Sequence, residues 1–124
     1  MRGRFFRHVQ IELTVVEVDV FRAISSREDQ MNQYDDALKN ARADVDRIDE
    51  ILVLVLNQRA KVAERIAAAK NVLGQDLRNG DREQEVRKNV AAYNRGPFTT
   101  EALLAIFRQI IEETLKHEEK GRRA

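Results

Sequence analysis

The sequence predicts an all-α fold: a three-helix protomer with one very long first helix, paired with a second copy as an intertwined homodimeric helical bundle. Apolar residues recur at alternating steps of three and four from Leu38 to Leu73, the spacing of one helix face. One proline and five glycines in 124 residues leave few interruptions to helices. Three helices with short connections cannot cover both sides of so long a helix. A symmetric second copy supplies the missing cover most simply.

The first helix is predicted from about Tyr34 to Leu73. One step of its apolar stripe falls on Arg59, so the helix points a guanidinium at its own apolar face. A permanent charge in that position requires an anion, either a carboxylate of the protein or a ligand. Lys70 follows eleven residues later, about 20° round the helix. Arg59 and Lys70 therefore place two cations on the same face of this helix.

The second helix is predicted from about Asp81 to Asn94, after a polar loop at 77–80. Asn79 is placed to accept backbone N–H bonds as its N-cap. Gly96 and Pro97 follow the helix and are expected to end it.

The third helix is expected to begin after Thr99, a favourable N-cap, with Glu101 in its first turn. Its apolar stripe comprises Leu103, Ile106, Phe107, Ile110 and Ile111. The stripe then continues onto Thr114 and Glu118, so polar groups again occupy positions that face the core.

The N-terminal residues 1–33 are predicted to form an extension, either disordered or upstream of a true start at Met31. Alternating apolar residues from Val9 to Phe21 predict an isolated strand, and the polar run at 25–30 separates it from the helices. A single strand cannot close a sheet alone. We therefore expect a helical domain at residues 34–120 and a tail at 121–124.

Composition limits the function classes. A net charge of only +1 does not favour a nucleic-acid or membrane-surface partner, although 35% of the residues are charged. The chain has no cysteine and two histidines, so neither a disulfide framework nor a metal cluster is expected. Acidic residues interrupt the N-terminal apolar run, which is therefore neither a signal peptide nor a membrane span. The expected location is the cytoplasm.

Three segments resemble the all-helical (type II) chorismate mutases. The resemblance runs from about Asp36 to Glu118 without a large insertion, and its most specific part is a set of charged residues at family spacing. The matching residues of the first helix are Arg42, Asp46, Arg47, Ile48, Asp49, Leu52, Leu56, Arg59, Val62, Ile66 and Lys70. The second and third segments are 78–83, with Arg78, Asn79, Arg82 and Glu83, and 106–114, with Ile106, Phe107 and Thr114.

The resemblance implies a cofactor-free isomerase that converts chorismate to prephenate by a [3,3] rearrangement, on the route to phenylalanine and tyrosine. It implies that Arg59 binds a substrate carboxylate and that Lys70 hydrogen-bonds the breaking ether oxygen and a carboxylate. The resemblance also implies that Arg42 reaches across the dimer to bind a substrate carboxylate in the partner's site. It lies about 25 Å along the helix from Arg59 and roughly 100° round it, so the two cannot hold one small ligand from the same helix.

The remaining roles implied by the resemblance belong to the loop and the two later helices. Arg78 and Arg82 would add positive potential, Glu83 would hold the ring hydroxyl and Thr114 would contact a carboxylate. Two positions depart from the common pattern: Asn79 stands where many members carry Asp, and Glu118 where many carry Gln. The resemblance places Glu118 beside the breaking ether oxygen, where a hydrogen-bond donor is needed. A carboxyl group can donate there only in its protonated form. Burial raises its pKa and nearby cations lower it, and the sequence leaves the balance open.

Each assignment has a simpler structural alternative. Arg78, Arg82 and Glu83 could form only weak surface ion pairs, and Thr114 could back-bond to its own helix. Arg42 could instead form an ion pair with Asp46 or Asp49 at the dimer interface. Two other functions also remain open: an isochorismate pyruvate lyase of the same fold, and a non-catalytic helical dimer that serves another shikimate-pathway enzyme.

Overall fold

The computed structural model describes residues 14–123, which fold into three helices. These are α1 (Val15–Val72), α2 (Gly80–Tyr93) and α3 (Thr100–Arg123). No strand occurs in this part of the chain, and the predicted all-α class is confirmed. The chain divides into two units, Met1–Asp49 and Glu50–Ala124, which are described separately.

In the first unit, α1 begins at a capping box. The backbone N–H of Thr14 donates to Glu17 Oε2 at 2.8 Å, and the Glu17 N–H donates to Thr14 Oγ1 at 3.2 Å. The predicted strand is therefore wrong over Val15–Phe21, and the polar run at 25–30 is helical too. Residues 9–13 of that predicted strand lie outside the described residues. The valine alternation suggested a strand, but residues 14–123 contain no second strand that could pair with one.

The helical extension continues the apolar stripe of α1 toward the N-terminus. Counting back from Leu38 in steps of four and three reaches Tyr34, Met31, Arg27, Ile24 and Val20. The apolar members of this series are all exposed. The first unit therefore presents a long, uncovered apolar stripe, interrupted at Arg27.

In the second unit, α1 ends in a hydrogen-bonded turn built on Gly74. The Gln75 N–H donates to the Lys70 carbonyl at 2.8 Å, and the Gly74 N–H donates to the Asn71 carbonyl at 3.2 Å. This pair of bonds is a Schellman motif, and it requires the left-handed backbone that Gly74 adopts, with φ 67°. The turn ends α1 within one residue of the predicted position.

Both predicted N-caps are confirmed. Asn79 Oδ1 accepts from the Arg82 N–H at 3.1 Å, and Thr99 Oγ1 accepts from the Ala102 N–H at 3.1 Å. These caps start α2 and α3, which pack against each other. Residues 121–123 of the predicted tail continue α3 as helix. Basic residues in this last turn suit the negative end of the helix dipole.

The described residues form only a small core. Among residues 14–123, only Ala63, Val90 and Glu118 are buried. The stripe residues Leu52, Val55, Val62 and Ile66 of the second unit remain exposed. Within the same residues, no helix has both the length and the apolar character needed to cross a membrane.

Candidate active site

A cavity of about 350 Å³ lies in the second unit, between the C-terminal part of α1, α2 and α3. Its volume suits a small organic ligand. Its apolar wall comprises Val62, Ala63, Ile66, Leu77, Val86, Ile111 and Leu115. Its polar groups are Arg59, Lys70, Asn79, Arg82, Glu83, Thr114 and Glu118. Every polar residue of this lining was a site candidate from the sequence.

The two cations of α1 enter the cavity without a carboxylate partner. Half-buried Arg59 donates from Nη1 to Thr114 Oγ1 at 3.3 Å, and Lys70 donates from Nζ to the Leu77 carbonyl at 2.8 Å. Within residues 14–123, neither takes part in an ion pair. Partly desolvated cations with neutral partners attract an anionic ligand. Of the two anions that the sequence allowed for Arg59, a ligand therefore fits better than a protein carboxylate.

Thr114 and Glu118 lie one turn apart on α3 and face this cationic wall. The Thr114 hydroxyl donates to the Ile110 carbonyl at 2.7 Å while its oxygen accepts from Arg59. The back-bond expected of a helical threonine therefore forms, and it aims the hydroxyl lone pair at the guanidinium. In this arrangement Thr114 holds Arg59 in the cavity, and its hydroxyl would have to leave the Ile110 carbonyl to donate to an anionic ligand.

Glu118 is a buried carboxyl group at the edge of the cavity. The residue is 9% exposed, and its Oε2 atom has no hydrogen-bond partner in the described part of the chain. Burial raises the pKa of Glu118, and the opposing charges of Lys70, Arg122, His117 and Arg59 do not cancel that effect. The balance that the sequence left open thus falls on the side of a raised pKa, so the protonated acid, which can donate a hydrogen bond, persists to higher pH than it would in an exposed glutamate.

The start of α2 contributes the remaining polar wall. Asn79 Oδ1 is engaged in capping the helix, and Arg82 pairs with Glu85 at 2.8 Å. The Glu83 side chain is 20% exposed and accepts from Arg78 Nη1 at 2.9 Å. The surface pairing considered for these residues is present, although Arg82 and Glu83 also line the cavity.

Two of the predicted site residues do not line this cavity. Arg78 lies in the loop before α2, where it bridges Glu83 and Glu112. Arg42 belongs to the first unit and is exposed, and no ion pair involves it among residues 14–123. Glu112 was not among the site residues predicted from the sequence. Glu112 belongs to the third segment that resembles the family, but its place in that segment does not reveal its contact with Arg78, 34 residues away.

The helical fold and the polar cavity define a class: all-α proteins with a ligand-sized, cation-lined site. Residues 41–119 match the family described as Chorismate mutase type II. The chain belongs to this family, and the resemblance inferred from the sequence is confirmed.

Relatives and a solved structure agree with this assignment. The chain is 38% identical over 87 residues to a bifunctional chorismate mutase/prephenate dehydratase of Aquifex aeolicus and 32% identical over 89 residues to one of Pseudomonas aeruginosa. These matches cover 67% and 68% of this chain, but the chain spans only 24% of the length of either relative. A chorismate mutase (Form II) structure from Thermus thermophilus superposes with a TM-score of 0.65 at 28% identity. That match covers 66% of this chain and 93% of the other.

Proposed function

We propose that this protein is a chorismate mutase, which rearranges chorismate to prephenate without a cofactor. The observation that carries the proposal is the cavity itself, in which two cations face a buried carboxyl group: among residues 14–123 the cations have no ion-pair partner and Glu118 Oε2 has no hydrogen-bond partner. Chorismate carries two carboxylates, a ring hydroxyl and an ether oxygen. Each of these groups finds a complementary side chain in the lining.

The cations bind the substrate in its reactive shape. The rearrangement requires the flexible enolpyruvyl side chain to fold over the ring, so that the two carbons that form the new bond approach each other. Arg59 binds one carboxylate, while Lys70 contacts a carboxylate and the ether oxygen. Holding these groups on one rigid helix lowers the entropic part of the barrier. The apolar wall formed by residues such as Val62 and Ile111 excludes water from the folded substrate.

Two donors stabilise the transition state. As the carbon–oxygen bond lengthens, negative charge develops on the ether oxygen, and donors aimed at that atom act more strongly then than in the ground state. Lys70 supplies a charged donor and protonated Glu118 a neutral one. Because the reaction is pericyclic, no nucleophile or proton transfer is needed, and Glu118 keeps its proton throughout.

The α2 side of the cavity binds the ring. Glu83 accepts a hydrogen bond from the ring hydroxyl, Arg82 adds positive potential and Asn79 contributes polar atoms near the same edge. Thr114 holds Arg59 through its hydroxyl oxygen, and the hydroxyl would turn away from the Ile110 carbonyl to donate to a substrate carboxylate. These roles follow the family resemblance, and the presence of the four residues in one lining supports them.

We also propose that the working form is a homodimer with composite sites. A protomer with three buried residues among those described and a long exposed apolar stripe lacks the core that a stable domain needs. A second copy would cover the stripe, with each covered valine, leucine or isoleucine contributing up to about 1.5–3 kcal/mol. Arg42 then serves the partner's site, where it binds a substrate carboxylate.

The decisive experiment measures loss of chorismate absorbance after addition of purified protein. Lys70→Ala should lose most of the activity because it removes the charged donor. Lys61→Ala is the matched control, since it removes an exposed lysine of α1 that does not line the cavity. Wild-type turnover with a selective loss in the Lys70 variant would support the proposal.

Other outcomes identify the alternatives. Release of pyruvate from isochorismate, with no prephenate formed from chorismate, would indicate the lyase. A folded dimer inactive toward both substrates would indicate a non-catalytic partner of another enzyme. Either result would overturn the proposed mutase activity.

A further inference from the structure

Arg78 holds together three segments at one edge of the cavity. From the loop before α2, its Nη1 donates to Glu83 Oε1 at 2.9 Å and its Nη2 donates to Glu112 Oε1 at 2.8 Å. One guanidinium therefore binds a carboxylate on α2 and another on α3. Its planar, rigid arrangement of donors fixes the direction of one contact relative to the other.

The three charged groups differ in their access to the cavity. Glu83 lines the cavity and its side chain is 20% exposed, whereas Arg78 and Glu112 lie outside the lining with side chains 56% and 42% exposed. Among the hydrogen bonds of residues 14–123, Glu83 uses only Oε1. The second oxygen therefore remains available to a ligand.

We infer that Glu112 is a positioning residue, which acts through Arg78 to orient the Glu83 carboxylate toward the ring hydroxyl of the substrate. This inference rests on the proposed mutase function. Without Glu112, the half-exposed Arg78 side chain would rotate among its many rotamers and would hold Glu83 Oε1 less firmly. The Glu83 carboxylate would then turn away from the hydroxyl in part of the population.

The test compares Glu112→Gln with the wild type on two substrates: chorismate and an analogue in which hydrogen replaces the ring hydroxyl. Because exposed ion pairs are individually weak, we expect kcat/KM for chorismate to fall only about three- to fivefold. For the analogue we expect no change, since the group that Glu83 binds is missing. Glu112→Asp, which keeps the charge, should recover part of the loss.

Glu113→Gln is the matched control. Glu113 is the next residue on α3, but it pairs with Lys116 and Gln109 and does not contact Arg78. We expect it to leave both substrates unaffected. A double-mutant cycle adds an independent measurement: in a Glu83→Ala background, Glu112→Gln should cause no further loss.

Several outcomes would overturn the inference. An equal loss on both substrates would indicate a general structural role. A gain on both would indicate that Glu112 only weakens the positive potential felt by an anionic substrate. If the wild type is active and Glu112→Gln matches it, the inference alone fails. If the wild type does not convert chorismate, the inference fails together with the proposed function.

Discussion

Replacement of Glu118 by glutamine should change the pH dependence of catalysis. The wild-type carboxyl must be protonated to donate to the ether oxygen, and burial raises its pKa. Because one proton is involved, kcat/KM should fall about tenfold per pH unit above that pKa. The amide of Glu118→Gln donates at every pH. The variant should therefore give a flat alkaline profile and exceed the wild type where the wild-type carboxyl is ionised.

The alkaline loss of kcat should occur at a different pH from the alkaline loss of kcat/KM. In the free protein, the charges of Lys70 and Arg59 lower the pKa of Glu118 and partly oppose burial. Substrate carboxylates bound to the same two cations would reduce the effect by which these cations lower the pKa of Glu118. The pKa of Glu118 should therefore be higher in the complex with substrate. Since kcat reports the complex and kcat/KM the free protein, the alkaline fall in kcat should occur at higher pH.

Stability should follow the same ionisation. An acid whose pKa is raised by folding binds its proton more tightly in the folded state, so stability is lost as pH rises from the unfolded pKa through the folded pKa. Glu118→Gln does not ionise. Its melting temperature relative to wild type should therefore increase with pH across that window.

One result would refute this reasoning. If wild-type activity showed no alkaline loss between about pH 5 and 9 and Glu118→Gln were uniformly slower, Glu118 would not be the ether-oxygen donor. A flat wild-type profile would mean that the ionised carboxylate is equally active. Burial of Glu118 would then serve packing alone.

Three further predictions concern assembly and folding. Mixing inactive Arg42→Ala and Lys70→Ala proteins under subunit exchange should restore about a quarter of wild-type activity, because half the dimers are mixed and each has one intact site; no recovery despite proven exchange would remove Arg42 from the partner's site. Deleting residues 1–30 should preserve turnover at saturating substrate. It should lower the melting temperature because it shortens the apolar stripe of α1 that a second copy would cover. An unchanged melting temperature would mean that nothing covers the deleted part of this stripe. Gly74→Ala should cost about 1 kcal/mol in urea unfolding because of its left-handed backbone, whereas Gly121→Ala, in open space within α3, should cost nothing.

Local signals explain what the sequence predicted well. Asn79 and Thr99 cap helices through bonds to residues three positions away, so the deciding groups lie within one turn of sequence. Arg59 was recognisable because a charge in an apolar series stands out against helical periodicity. Lys70 followed from the same geometry, since helix pitch relates both positions to one face.

The failures have physical causes too. The strand prediction at Val15–Phe21 relied on alternating valines, while the signal that decides the structure was the Thr14 and Glu17 pair of the capping box. The bridge from Arg78 to Glu112 joins groups 34 residues apart. Long side chains on exposed elements choose among many rotamers, and spacing along the sequence does not determine which carboxylate such an arginine binds.

The Gly74 turn also determines where the chain can accept insertions. The Lys70 carbonyl accepts the hydrogen bond that closes this turn, and the Lys70 side chain donates to the Leu77 carbonyl. A residue added between Gly74 and Leu77 would therefore shift the carbonyl on which the lysine side chain rests. The loop at residues 94–99 contributes nothing to the cavity lining. An insertion there would spare the site's geometry if it kept the Thr99 cap that starts α3 and the contacts of the Asn94 side chain with Phe98 and Thr100.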